Sequence, residues 1–200
     1  MNLKGESVKK ILSLTVSAAV LFSSSWCFAN WADSLRPTRW EFRTGYAYQY
    51  TNSKRPTNFE IIPFFPGASV PIGDAAGSGW LHGRWEWAPE LFLATIIHPF
   101  TRPVVGVTPL QFRYVFEPKC RFHPYLFGGA GILYGDFDRR ETGHRLNFNP
   151  QFGAGFYYAL NDSASLILEY RHIHISNAGM DERNSGLNTH TFLAGLSVKR

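Results

Sequence analysis

Trp40-Glu41-Phe42-Arg43-Thr44-Gly45-Tyr46-Ala47-Tyr48-Gln49-Tyr50 places mostly aromatic residues at even positions and charged, small or polar residues at odd ones. Successive side chains of an extended strand point to opposite faces, so this segment has one apolar and one polar face. The pattern recurs along the chain. Leu110, Phe112, Tyr114 and Phe116 oppose Gln111, Arg113 and Glu117, and Leu146, Phe148, Phe152, Ala154, Phe156 and Tyr158 oppose Asn147, Asn149, Gln151, Gly153 and Gly155. Near the end, Phe192, Ala194, Leu196 and Val198 oppose Thr189, Thr191, Gly195 and Ser197.

Eight segments fit this template: 39–50, 79–87, 90–97, 106–117, 122–134, 146–158, 164–176 and 187–199. The connections between them alternate long and short, at about 28, 2, 8, 4, 11, 5 and 10 residues. Long loops at one end and tight turns at the other predict an all-β fold, an eight-stranded antiparallel transmembrane β-barrel of the outer-membrane type. An even strand number returns both termini to the periplasmic side. The polar, Gly- and Pro-rich stretch 51–78 reads as an extracellular loop, in which Phe59–Phe65 could form a short edge strand or dip into the membrane.

Composition agrees. The 200-residue chain is 44% apolar, 16% aromatic and 18% charged, which excludes a disordered chain or a coiled coil. Charge on the minor face has both signs (Glu41, Arg43, Arg84, Glu86, Arg113, Glu117, Glu169, Arg171). Such groups can pair inside an eight-stranded lumen just wide enough for side chains. A soluble barrel would reverse the polarity, with apolar groups inside and charge outside. The aromatic load and the loop asymmetry favour the membrane reading, with Trp and Tyr at strand ends serving as interfacial belts.

Residues 1–29 read as a secretory signal peptide, leaving 30–200 as the barrel domain. Lys4, Lys9 and Lys10 precede the apolar run Ile11–Phe22, and Cys27-Phe28-Ala29 is a small-x-small cleavage site. Twelve apolar residues are too few to span a bilayer. Removing those three lysines and Glu6 from 20 basic and 15 acidic residues leaves 17 and 14, a charge of about +3, which gives no reason to expect nucleic acid. Cys120 is then the sole remaining cysteine, so the exported fold has no internal disulfide.

The chemistry concentrates in Glu169-Tyr170-Arg171-His172-Ile173-His174-Ile175-Ser176-Asn177-Ala178-Gly179, followed by Asn184-Ser185-Gly186-Leu187-Asn188. His174 and Ser176 are two apart on a strand, so they share a face with Cα atoms roughly 6.6–7 Å apart. Parity groups them with Leu166, Leu168 and Tyr170 on the lipid side, at the outer end of the seventh strand. Polar groups at that depth are costly unless they are satisfied or used. An imidazole and a hydroxyl facing acyl chains suggest ester hydrolysis; an ordinary interfacial strand end is the plainer reading.

His174-Ile175-Ser176-Asn177-Ala178-Gly179 with Asn184-Ser185-Gly186 resembles the signature of the lipid A 3-O-deacylase (PagL) family of outer-membrane enzymes, within about residues 170–198. The resemblance implies that Ser176 is the nucleophile and His174 the general base. It also implies that Asn177, Asn184 and backbone amides near Gly179 or Gly186 stabilise the oxyanion. Its substrate would be lipid A of lipopolysaccharide in the outer leaflet of a Gram-negative outer membrane, with water as acceptor and no cofactor. The best-known members carry a glutamate where this chain has Asn188. An asparagine oxygen can fix the imidazole tautomer but cannot neutralise the imidazolium. A corresponding acid-to-amide change in a serine protease lowers the rate about 10⁴-fold. Asp181 or Glu182 could substitute for the missing acid. A structural or adhesive barrel with a decayed site is the alternative, and another ester, such as a phospholipid, is a third reading.

Other features carry less. His172, His174 and His190 share parity on adjacent strands and could hold zinc, although a lipid-facing ion would lack a route for water. Gly128-Gly129-Ala130-Gly131 eases barrel curvature. Asp136–Glu141 is a solvated loop tip whose Arg139 and Arg140 could touch lipopolysaccharide phosphates. The final Ser197-Val198-Lys199-Arg200 lacks the terminal aromatic residue common among outer-membrane proteins.

Overall fold

The computed structural model describes residues 36–49, 58–137, 142–182 and 184–200; the expected signal peptide and the Arg139–Arg140 pair lie outside them. Ten strand elements follow one another: β1 (Arg39–Gln49), β2 (Glu60–Ala76), β3 (Gly83–Trp87), β4 (Glu90–His98), β5 (Arg102–Phe116), β6 (Phe122–Gly135), β7 (Leu146–Phe148), β8 (Gln151–Ala159), β9 (Ala164–Ile175) and β10 (Leu187–Lys199). Every pairing is antiparallel. β1 meets β10 across the seam, with Trp40 opposite Val198 and Gln49 opposite Thr189, so the sheet closes on itself.

The ten elements make eight staves. β3 and β4 lie end to end along the same two neighbours, β2 and β5, and β7 and β8 lie end to end along β6. Ala88-Pro89 and Asn149-Pro150 separate the halves, because proline has no N–H to give the ladder. The alternation runs straight through the first break, with Glu86, Ala88, Glu90 and Phe92 all buried. Residues 88–89 are therefore not the expected hairpin turn. The segment 79–87 also starts late: Gly79–Leu81 forms a single 3-10 turn before β3.

The stretch 51–78 holds a 17-residue strand rather than only a loop. Pro63, Pro66 and Pro71 obscure its alternation, yet Ile61 and Phe65 point inward while Ile62 and Phe64 point outward. Pairing with β1 on one side and with β3 and β4 on the other overrides the turn-forming tendency of its residues. The count of eight thus holds through two offsetting differences, one strand hidden and one split.

Polarity is inverted relative to a soluble barrel. Trp40, Phe42, Phe64, Trp85, Phe112, Leu126, Phe152, Leu168, Phe192 and Leu196 lie exposed on the outside, whereas Glu41, Arg43, Glu86, Glu90, Arg113, Glu169 and Arg171 are buried inside. An apolar belt on this scale suits hydrocarbon, not water. Inside, Arg43 bridges Glu90 and Glu169 at 2.8 Å each, Arg113 meets Glu41 at 2.9 Å, and Arg171 pairs with both Glu90 and Glu169. Tyr157 and Tyr125 donate to Glu41 and Glu169, each at 2.6 Å. The ions satisfy one another at low dielectric, which is the condition for keeping them there.

Apolar clusters bracket this layer. Phe59, Ile61, Ile96, Leu133, Phe137, Ile173, Ile175 and Leu187 fill one end of the lumen, and Val115, Tyr125, Phe127, Tyr157 and Ile167 pack in a second cluster. The first cluster lies at the end where the chain passes from β1 to β2, β4 to β5, β6 to β7 and β9 to β10; at the opposite end the shorter set 77–82, 117–121 and 160–163 joins β2 to β3, β5 to β6 and β8 to β9. The longer set belongs to the extracellular side in barrels of this type.

Candidate active site

β9 presents Ile167, Glu169, Arg171, Ile173 and Ile175 to the interior, so His172, His174 and Ser176 fall on the outer face. Asn188 of β10 is registered directly opposite His174. Directly opposed residues share a face, so their side chains meet. His174 Nδ1 lies 2.8 Å from Asn188 Oδ1.

Ser176 follows the last residue of β9 and is held by β7. Its N–H donates to Phe148 O at 3.1 Å, and Phe148 N–H donates to Ser176 O at 2.8 Å. The His174 N–H donates to Pro150 O at 2.9 Å. Both residues are therefore pinned through their backbones to the neighbouring stave. Behind them Ile173 and Ile175 sit in the apolar plug, so the outer face of the strand end rests on a packed layer. Among the described residues the Ser176 hydroxyl carries no hydrogen bond. Hydrogen bonds of a catalytic pair are often open without substrate and tighten when it binds.

The imidazole has a second constraint. Gly186 adopts φ +68°, and a Cβ built on it would sit 2.9 Å from His174 Cε1 and 3.5 Å from Nε2. Only glycine lets the 176–186 connection cross so close to the ring in this conformation.

The two asparagines of the motif brace that connection. Asn177 is fully buried; its amide donates to Thr142 O at 2.7 Å and Asp181 O at 3.4 Å, while its Oδ1 accepts the Gly179 N–H at 2.8 Å. Asn184 Oδ1 accepts the Asn177 N–H at 3.0 Å. The Asn177 side chain and the Gly179 amide are thus both engaged within the loop. Asn184, anchored through its oxygen, keeps its NH₂ group as a donor. His174, Asn188 and Gly186 come together, Ser176 lies next along the same face, and the Asn177 side chain turns inward.

His172 and His190 continue the outer face below the pair. Their rings meet edge to face at 5.8 Å, and His190 Nδ1 lies 2.6 Å from the Tyr170 hydroxyl. Among the described residues no group of His, Cys, Asp and Glu is arranged to hold a metal ion. Thr142 has no local signature: its carbonyl accepts the Asn177 amide across a separation of 35 residues, a contact that no short-range pattern reveals.

The sequence model of the lipid A 3-O-deacylase (PagL) family matches residues 22–197. The chain belongs to that family. Among solved structures it is similar to the crystal structure of the outer membrane enzyme PagL, with 19% identity and a TM-score of 0.58 over 81% of this chain and 99% of that one. It is also similar to Neisserial surface protein A, with 13% identity and a TM-score of 0.59 over 81% of this chain and 96% of that one. No curated protein sequence matches the chain significantly. At these identities the structural neighbours establish the fold alone, and the match to the lipid A 3-O-deacylase family spans His174, Ser176 and Asn188.

Proposed function

We propose that this protein is an outer-membrane ester hydrolase that removes the 3-O-linked acyl chain of lipid A. The observation that carries the proposal is the outward-facing His174–Asn188 hydrogen bond of 2.8 Å, with Ser176 on the same face at the extracellular end of β9. In this reading Ser176 Oγ attacks the ester carbonyl and His174 Nε2 takes its proton. Asn188 Oδ1 accepts the Nδ1–H and fixes the tautomer. The Asn184 NH₂ group and backbone amides near Gly186 are the donors for the oxyanion. The collapsing intermediate expels the sugar 3-hydroxyl, which leaves with the proton held by His174. Water then hydrolyses the acyl-serine and releases a 3-hydroxy fatty acid.

Substrate approach follows from the packing. The lumen is filled by ion pairs and by the apolar plug behind Ile173 and Ile175, so the ester comes from the side, out of the outer leaflet. Expression in a Gram-negative host whose lipid A retains its 3-O chains tests the function. Mass spectrometry is expected to show loss of one 3-hydroxyacyl chain with the native protein and none with Ser176→Ala assembled to the same level. An unchanged mass difference with Ser176→Ala rejects Ser176 as nucleophile.

A further inference from the structure

A cavity of about 440 Å³ opens at the extracellular rim, lined by Tyr134, Asp136, Thr142, His144, Arg145 and Leu146. Its walls are built rather than incidental. Thr142 is buried, its hydroxyl donates to His144 O at 3.0 Å, and the Asn147 amide donates to the same carbonyl at 2.9 Å. The carbonyl of Thr142 also receives the Asn177 amide, which ties the cavity wall to the residue after Ser176.

Its charge favours an anion. Among the described residues Asp136 is the acidic lining residue; Arg102, on β5 beside the cavity, pairs with it, and Arg145 Nη2 lies 3.8 Å away. Both arginine side chains remain about half exposed, at 47% and 57%. Among the described residues two guanidinium groups stand against one carboxylate, and each has further planar donors beyond the one turned to Asp136 with which to grip a phosphate.

Its position suits the proposed reaction. Leu146 and Phe148 both face outward on β7, and Phe148 is the residue paired with Ser176. Two residues along a strand and one strand across separate Ser176 from the cavity wall by about 8 Å. An acyl ester and a phosphate on one sugar headgroup span such a gap.

We propose that this cavity seats a phosphorylated sugar of the substrate headgroup, with Arg145 and Arg102 holding the phosphate while the adjacent acyl ester lies over Ser176. The inference rests on the deacylase reading and extends it from the ester to the headgroup. Its test compares native protein with Arg145→Ala and Arg102→Ala/Arg145→Ala on bis-phosphorylated lipid A and on the same lipid stripped of phosphate. Native-like assembly of each variant is checked by heat-modifiable migration in gels. KM for the phosphorylated lipid is expected to rise at least tenfold in Arg145→Ala and further in the double variant, with kcat within about twofold and no change on the stripped lipid. Equal loss on both lipids, or no loss on either, overturns it. Binding of the two lipids to Ser176→Ala protein in nanodiscs, with and without Arg145→Ala, separates the two ideas. A phosphate preference abolished by Arg145→Ala supports the cavity even if no hydrolysis is found. Hydrolysis by native protein with no phosphate preference keeps the enzyme and refutes the cavity.

Discussion

Replacing Asn188 by aspartate exchanges an amide for a carboxylate of the same shape, 2.8 Å from His174 Nδ1. When Ser176 loses its proton, the imidazole becomes a cation, and the native amide meets it with a dipole only. A carboxylate in the same place would meet it with a full charge about 4 Å from the ring centre. At an effective dielectric constant of about 20 that attraction is about 4 kcal/mol, or roughly 10³-fold in rate if all of it appears in the transition state. The site lies half-buried at the rim, so water screens part of this and an increase of 10- to 100-fold in kcat is expected. Asn188→Glu restores the acid carried by the best-known family members but is one methylene longer, and it should gain less unless the backbone adjusts. The assay is single-turnover deacylation of lipid A in mixed micelles, followed by mass spectrometry. The same changes in a His174→Ala background should give no gain. A kcat unchanged within threefold in an assembled Asn188→Asp protein would refute the idea that position 188 acts electrostatically through His174. Silence of the native protein and of both variants would favour the scaffold reading.

Three further outcomes follow from named contacts. Gly186→Ala places a methyl 2.9 Å from His174 Cε1 and strains a φ of +68°, so it should cost about 1–2 kcal/mol of stability and lower kcat about tenfold, with KM unchanged; full activity would show that the ring position is not limiting. Arg113→Met leaves Glu41 without its 2.9 Å partner in the barrel interior and should destabilise by about 3–5 kcal/mol, read as a lower temperature for the gel shift of the folded barrel. Leu168→Arg puts a charge on the apolar outer face and should weaken insertion into lipid bilayers by about 2–4 kcal/mol; normal assembly would mean that this face does not meet hydrocarbon.

The parts of this molecule that a sequence reveals are those governed by period two. Alternation in β1, β5, β8, β9 and β10 fixes which side chains face lipid, and the same parity places His174 and Ser176 together on the outside. What escapes is whatever depends on a partner distant in the chain. β2 carries three prolines and two glycines and becomes a strand because two neighbours supply its ladder. Ala88-Pro89 looks like a turn because proline removes a donor, although the chain runs straight on. In the site, Asn188 opposite His174 is a consequence of the β9–β10 register and follows once the connection length is known. The inward turn of Asn177 continues the parity of Ile173 and Ile175, but its partner Thr142, 35 residues away, does not follow from any local pattern. The close approach of Gly186 to the imidazole is likewise a three-dimensional fact.

A serine-directed phosphonate carrying a lipid tail tests the central claim most directly. Applied to the folded protein in bilayers and mapped by peptide mass spectrometry, it is expected to modify Ser176 in the native chain and to leave Ser176 unmodified in His174→Ala. Modification of a different residue, or equal modification of Ser176 without His174, would contradict an imidazole-activated nucleophile on the lipid-facing side of this barrel.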